Sequence, residues 1–289
     1  MKTSVVIPNW NGKNLLEKNL PSVIAMGADE VIISDDASTD DSVNFIKLKY
    51  PKIKIVLTNK NTGFSGNVNR GVKIATGDII VLLNTDVIPE KNIIKNFISH
   101  FQDTEVFGVS FNEREYGPAQ PLMESGFLNH RPGKISVKAV KTFWISGGSG
   151  AFRKSMWDKL SGLDEMFNPF YWEDLDLCFR AQRMGWKLIW EPKAIVAHKH
   201  ETTINKNNFP TRYLNYMKER NQLLFNWKNL PLHILFTDHL FGVLKRLKNP
   251  GYFVVILISV FKIPEILHSR MKHEEYKYSP DSILMNFQK

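Results

Sequence analysis

Four short apolar runs, each ending in a polar cluster, restrict this chain more than any other feature. Ser4–Ile7, Glu30–Ser34, Ile53–Leu57 and Ile79–Leu83 are each the length of one strand. Ser4–Ile7 and Glu30–Ser34 read as buried strands covered on both faces, and Ile53–Leu57 and Ile79–Leu83 as the third and fourth strands. The segments between them carry helical spacing: Leu15–Met26, then Asp40 or Asp41 (as cap) to Tyr50, then Gly63-Phe64-Ser65-Gly66 to Ala75. Pro89 is expected to open a further helix at its favoured first position. This alternation predicts an α/β fold with a doubly wound, mostly parallel sheet. Ligands of such sheets bind beyond the carboxyl ends of the strands. Asn9, Asp36 and Asp86 all stand there and should converge on one crevice.

Beyond Gln102 the pattern loosens. Val106–Phe111 and Thr142–Ser146 read as strands, with an irregular excursion over 112–139 between them. Gly147-Gly148-Ser149-Gly150 reads as a turn that also lets backbone approach a sugar or phosphate. Arg153–Leu160 and Asp174–Met184 read as helices, and Lys187–Trp190 and Ala194–Ala197 as two short strands flanking Pro192. From Thr211 the chain turns helical. The expected organisation is an α/β domain over 1–205, split into a nucleotide-binding half (1–102) and a catalytic and acceptor half (103–205), with a helical tail over 206–289.

Charge separates these two parts. After residue 198 lie 14 of the 38 Lys and Arg but 7 of the 29 Asp and Glu, so most of the net charge of +9 belongs to the tail. A solvated basic surface and contact with an anionic partner, such as a membrane face, both account for it. The tail has no nucleic-acid-binding motif, and nucleic acid is not an expected partner. Tyr252–Phe261 is apolar but about half the length of a membrane span. It reads as a buried helix or a surface-seeking one. The single Cys178 excludes an internal disulfide. Met1-Lys2-Thr3 enters a strand broken at Pro8, too short for a signal peptide, so the expected location is cytoplasmic.

Two separated groups of acids carry the chemistry. Asp35-Asp36 at a strand end is a turn former, or else an acceptor for the N3–H of a uracil or thymine ring. Asp86, in Asn84-Thr85-Asp86, suits a hard divalent cation bridging to a diphosphate. His198 is a candidate further ligand, with His200 the weaker choice. Far downstream, Trp172-Glu173-Asp174-Leu175-Asp176 sets three acids among aromatics. Asp176 and Arg180 share a helix face, which gives Asp176 a structural role. Asp174 has no such Arg, so its pKa should rise toward that of a general base. An acidic first turn that merely suits the helix dipole is the plainer reading of the same residues.

Together these residues resemble the inverting family 2 glycosyltransferases of GT-A fold, over roughly residues 3–200. The likeness is carried by Val5-Val6-Ile7-Pro8-Asn9-Trp10-Asn11-Gly12, Ser34-Asp35-Asp36-Ala37-Ser38-Thr39-Asp40, Asn61-Thr62-Gly63-Phe64, Leu83-Asn84-Thr85-Asp86 and Tyr171-Trp172-Glu173-Asp174-Leu175-Asp176 with Arg180. The rhamnosyltransferase-like subgroup of surface polysaccharide assembly is the most similar. The resemblance implies a UDP- or dTDP-sugar donor and a glycan or polyprenyl-linked acceptor at the inner membrane face. It implies that Pro8, Asn9, Asn11, Asp36, Asn61, Gly63, Asn84 and Thr85 hold the nucleotide. Asp86 and His198 would hold Mn2+ or Mg2+. Asp174 would be the base, and Gly147, Gly148, Trp172 and Glu173 would face the acceptor or the sugar. Asn84 departs from the pattern, standing where the family more often has an acid. Two rivals share this kind of sheet: a nucleotidyltransferase, which would want a glycine-rich basic loop near the N-terminus, and a non-catalytic nucleotide-sugar-binding protein.

Overall fold

The structure is a computed structural model that describes residues 1–114, 116–198, 208–271 and 276–287. His200 lies outside the described residues. The first half alternates as expected: β1 (Thr3–Asn9), α1 (Lys13–Ala25), β2 (Glu30–Asp35), α2 (Ser42–Lys49), β3 (Lys54–Leu57), α3 (Gly63–Ile74) and β4 (Ile79–Leu83). It continues through β5 (Val87–Pro89), α4 (Ile93–Phe97) and β6 (Val106–Asn112). Then come β7 (Ala119–Glu124), β8 (Phe127–Pro132), β9 (Val140–Lys141), β10 (Ser149–Arg153), α5 (Lys154–Lys159), α6 (Glu173–Arg183) and β11 (Lys187–His198). The C-terminal helices are α7 (Thr211–Asn229), α8 (Leu232–Ile234), α9 (Leu240–Arg246), α10 (Pro250–Val260), α11 (Ile263–Met271) and α12 (Pro280–Met285).

The main sheet runs β3-β2-β1-β4-β10-β6-β11-β5. β3, β2, β1 and β4 are parallel, β10 is antiparallel to both β4 and β6, and β11 is parallel to β6. The carboxyl ends of β1, β2, β4, β6 and β11 therefore share one edge with the amino end of β10. Side chains alternate across the pleat. Val5, Ile7, Val81 and Leu83 pack with Leu16, Leu20 and Val23 of α1 on one face. Val6, Ile80 and Leu82 pack with Val68 and Val72 of α3 and Leu177 and Ala181 of α6 on the other. Each buried Val, Leu or Ile among them stabilises the fold by roughly 1.5–3 kcal/mol.

Four local expectations are corrected. Pro89 ends β5, pairing with Val196 at the sheet's outer edge, where a residue without an N–H is tolerated. The excursion after residue 112 contains the hairpin β7–β8. The strand expected at Thr142–Ser146 lies later, at β10, and takes in Ser149 and Gly150. A Cβ on Gly150 would fall 2.4 Å from Ile145 Cγ2, so the glycine permits close packing inside the sheet rather than making a turn. The two strands around Pro192 are one strand, β11, whose register shift between Trp190 and Ile195 absorbs the proline.

The C-terminal helices are fastened to the α/β body by α7. Leu224 and Phe225 join Phe143, Leu175 and Phe179 in one core. Lys228 of α7 is buried and reaches Asp164 (2.6 Å) and Asp176 (2.9 Å).

Candidate active site

A cleft of about 900 Å³ opens along the shared strand edge. Pro8, Asn9, Asp36, Asn61 and Gly63 line one part of it, and Asn84, Thr85, Asp86, Gly148 and His198 another. Glu173 and Asp174 face the same space. Three expected residues do not line it. Asn11 lies behind the wall, where its Oδ1 accepts from the backbone N–H of Thr39 and Asp40 (2.7 and 3.2 Å). Gly147 stands behind Asp174, and the Trp172 ring packs on Phe225 at 5.2 Å between centroids.

The two residues of the Asp-Asp turn divide their work. Asp35 forms the turn, accepting from Asn9 Nδ2 (2.7 Å) and from Ser38 N–H and Oγ (2.9 and 2.7 Å). Asp36 holds the next loop, accepting from Thr62 N–H (2.9 Å), Thr62 Oγ1 (2.8 Å) and Gly63 N–H (3.0 Å), with Arg70 at 3.2 Å. Gly63 has φ +76°, a left-handed conformation, and a Cβ there would meet Asn168 Oδ1 at 2.6 Å. Asp36 thus fixes the loop 61–63 at the cleft mouth.

A second group lies at the ends of β4, β6 and β11. His198 Nε2 stands 3.3 Å from Asp86 Oδ1, and its Nδ1 stands 3.0 Å from Glu113 Oε1. Burial disfavours the imidazolium, but hydrogen bonds and charge from Asp86 and Glu113 outweigh it and lift His198 to about 9. Among the described residues no three His, Cys, Asp or Glu side chains converge as a cage for a metal. Asp86 and His198 nonetheless fit one ion. A carboxylate oxygen and a neutral imidazole nitrogen are suitable donors, and an ion bound there would displace the proton that Asp86 and Glu113 favour on His198. Across from them, Asn84 N–H donates to Gly148 O (2.9 Å). A Cβ on Gly148 would fall 2.3 Å from Asn84 Nδ2, so a larger residue there would push the Asn84 side chain out of its place in this wall.

The third group begins α6. Asp174 Oδ2 accepts from Gly147 N–H (2.9 Å) and Oδ1 from Leu175 N–H (2.8 Å). Burial raises the Asp174 carboxyl despite these bonds. Glu173 is buried, its Oε2 has no hydrogen-bond partner, and burial together with the charge of Asp174 raises it well above the ordinary range. Asp174, with two N–H donors, is the member of the pair that ionises. Asp176 points into the core to Arg180 Nε (2.7 Å), Lys228 Nζ (2.9 Å) and Asn229 Nδ2 (2.9 Å). Burial would raise it, but Lys228 and Arg180 hold it at about 2.

The backbone leading to these acids is strained. Tyr171 and Trp172 are consecutive at φ +75° and +78°. Each such conformation costs about 1–3 kcal/mol for a bulky residue. Asn221 of α7 offsets the cost, its buried Nδ2 donating to the carbonyls of Phe167, Phe170 (2.9 Å) and Tyr171 (3.0 Å).

Sequence reasoning missed Glu113, although it follows a buried strand just as Asp36 and Asp86 do. It also missed the aromatic wall of Phe170, Phe209 and Tyr213, whose centroids lie 5.3 and 5.9 Å apart in sequence. Tyr213 belongs to the segment read as a tail, and no local pattern ties it to the cleft.

Comparison with known proteins agrees with this geometry. The profile of Glycosyl transferase family 2 matches residues 4–160, more than half of the chain. The O-antigen chain rhamnosyltransferase RfbN of Salmonella typhimurium is 26% identical over 216 residues, 70% of this chain and 68% of that protein. The O-antigen chain rhamnosyltransferase WbaN of Salmonella anatum is 29% identical over 60% of this chain and 58% of its own. The matches thus span roughly three fifths to two thirds of these relatives. The solved structure of GalNAc-T7 with UDP, GalNAc and Mn2+ superposes with a TM-score of 0.66, at 16% identity over 80% of this chain and 48% of that one. The mannosyltransferase PcManGT of Pyrobaculum calidifontis with GDP-Man and Mn2+ gives 0.57, at 13% identity over 99% and 86%. The fold is therefore the GT-A fold expected from sequence.

Proposed function

Because the chain belongs to Glycosyl transferase family 2, we propose that it moves a sugar, with inversion, from a UDP- or dTDP-sugar to a hydroxyl of a glycan or polyprenyl-linked acceptor in cell-surface polysaccharide assembly. The observation that carries this reading is that Asp86 and Asp174, 88 positions apart in sequence, open onto one cleft with different surroundings. The likeness to two O-antigen rhamnosyltransferases supports the polysaccharide role. The structural neighbours hold UDP in some cases and GDP-Man in another, which supports a nucleotide-sugar donor.

The nucleoside lies along Pro8, Asn9 and the loop that Asp36 fixes, Asn61–Gly63, with Asn84 and Thr85 beyond. Asp86 and His198 would hold Mn2+ or Mg2+. When bound, that ion neutralises the charge gathering on the departing diphosphate. The acceptor hydroxyl lies against Asp174. As its oxygen bonds to the anomeric carbon, its proton passes to the Asp174 carboxylate. The bond from that carbon to the diphosphate oxygen breaks, and its electron pair leaves on the diphosphate. Glu173, protonated, donates a hydrogen bond to the acceptor or sugar. Asn221 acts indirectly, as a positioning residue for the turn before Glu173.

Asp174→Asn tests this. Transfer should fall by a factor on the order of 10²–10⁴, with nucleotide affinity by titration calorimetry nearly unchanged. Collapse of nucleotide affinity would move Asp174 to the donor side and end its role as base.

A further inference from the structure

The helices after α7 turn their apolar side to solvent. Leu232–Arg246 is one continuous helical run, with a π turn at Leu235–His239 between α8 and α9. Its packed side carries His239 and Gly242. Its outward positions, at four-residue steps, are Leu232, Phe236, Leu240 and Leu244, with Phe241 beside them. Phe236 and Phe241 are 74% and 72% exposed. In α10 the inversion is sharper: the inward side holds Tyr252, Val255 and Ser259, and the outward side Phe253, Val254, Leu257 and Val260. Phe261 follows at 77% exposed, and Leu267 and Met271 continue the stripe on α11. A helix meant for water would face the other way. Continuous apolar exposure of this kind marks an interaction surface.

Charge identifies the occupant. From Leu232 to Met271 the acids are Asp238 and Glu265, the latter paired with Lys262 (2.7 Å), against the bases Lys245, Arg246, Lys248, Lys262 and Arg270, and Lys245 and Lys248 border the apolar stripe. A second copy of the chain on this face would bring those lysines together across a two-fold axis. An anionic lipid surface complements both the apolar stripe and its basic border. Length sets the depth. α10 has 11 residues, about 16 Å of helix, which is half a bilayer core, and α11 bends away from it by 57°. No single described helix is long and apolar enough to cross a membrane.

The same helices grip the cleft. His239 Nδ1 hydrogen-bonds the Gly126 carbonyl oxygen (2.9 Å) at the β7–β8 tip. A Cβ on Gly126 would fall 2.1 Å from Asp238 O, so the tip is wedged against the π turn. The base of that hairpin, at Ala119, His130, Arg131 and Pro132, lines the cleft. We infer that the outer faces of Leu232–Arg246 and α10–α11 form a monotopic docking surface for an anionic bilayer, which holds the hairpin side of the cleft to the lipid. The docking surface stands by itself; only its use, presenting a membrane-borne acceptor, rests on the transferase reading.

The test is sedimentation of the full chain with vesicles of phosphatidylcholine alone or mixed with phosphatidylglycerol. The chain should bind the mixed vesicles at low salt and bind phosphatidylcholine at least tenfold more weakly. Phe253→Ser with Phe261→Ser should weaken binding about tenfold or more. Lys245→Gln with Lys248→Gln should abolish most of the salt dependence. Both pairs should melt like the parent and retain nucleotide-sugar binding, so a failed transferase reading would leave the vesicle result standing. The inference is overturned if the parent ignores mixed vesicles at low salt, or if the phenylalanine pair binds them as the parent does. It is also overturned if light scattering shows a parent dimer that this pair dissociates, since a second copy then covers the face.

Discussion

Asp174 and Asp176 lie two residues apart on one helix, and their surroundings oppose each other. Asp176 has no exposed surface and meets Arg180, Lys228 and Asn229, which hold it ionised at about 2. Asp174 meets the backbone N–H groups of Gly147 and Leu175, the Trp144 side chain and the cleft but no cation, and burial raises it. One acid is a structural counter-ion and the other a proton acceptor. The difference arises from α7, which supplies Lys228 and Asn229 to one side of α6 and no cation to the other.

The sharpest way to break this contrast is Asp176→Ala. It strands Arg180 in the core and leaves Lys228 with Asp164 alone (2.6 Å), which should cost about 3–5 kcal/mol, read as a large fall in the denaturant midpoint. A loss of activity at unchanged stability would instead make Asp176 part of the reaction. Asn221→Ala comes next. It leaves three carbonyls without their donor, at about 1–3 kcal/mol, and loosens the strained Tyr171–Trp172 turn. A misplacement of about 1 Å at the reacting groups is worth up to 10²-fold in rate. kcat should therefore fall by more than the donor KM changes, because Glu173 and Asp174 follow this turn directly whereas the donor-binding loop meets it through Asn168 and Pro169, which pack on Gly63 and Phe64. Equal changes in kcat and donor KM would show that Asn221 acts on the whole cleft.

How much of this contrast was legible in sequence follows from the range of the interactions. β1, β2 and β4 were legible because burial leaves a continuous apolar run, the edge strand β3, with Lys54 and Leu57 exposed, by its place in the alternation, and the acids at strand ends because a strand end is a local event. The Asp176–Arg180 pair was legible as a four-residue helical step. Lys228 was not: it sits 52 positions away, and only the packing of α7 brings it in. β10 was misplaced because glycine reads locally as a turn, whereas Gly150 is needed to let Ile145 approach the sheet. Glu113 obeyed the strand-end rule but opened a stretch read as irregular, so the partner it gives His198 went unseen.

The pH dependence sharpens the comparison further, because the two environments have opposite signs. Asp176 is depressed from 3.8 to about 2, so its contribution to stability is present above the unfolded value and lost as pH falls through about 2. Asp174 is raised, so the acid limb of kcat/KM should lie above the ordinary carboxylate range near 3.8. A limb at or below that value would assign the base to another group.

Glu173→Gln gives the smallest effect and the cleanest check of which neighbour keeps its proton. Glu173 is raised well above 4.5 by burial and by Asp174, so below that value it is uncharged in both the folded and the unfolded chain, and there a neutral isostere should shift stability by no more than about 1 kcal/mol. The direction is fixed. In the unfolded chain Glu173 ionises above its ordinary value while the folded chain keeps it protonated, so its contribution is full below 4.5 and lost as pH rises through the folded pKa. Glutamine suffers no such loss. The variant should therefore gain on the parent as pH rises, whereas Asp176→Asn should recover relative to its parent only as pH falls. The acid limb set by Asp174 should stay where it is, since a residue that is neutral in both proteins exerts no charge on its neighbour. Movement of that limb in Glu173→Gln would mean that the two carboxyls share the proton, and that the base is the pair.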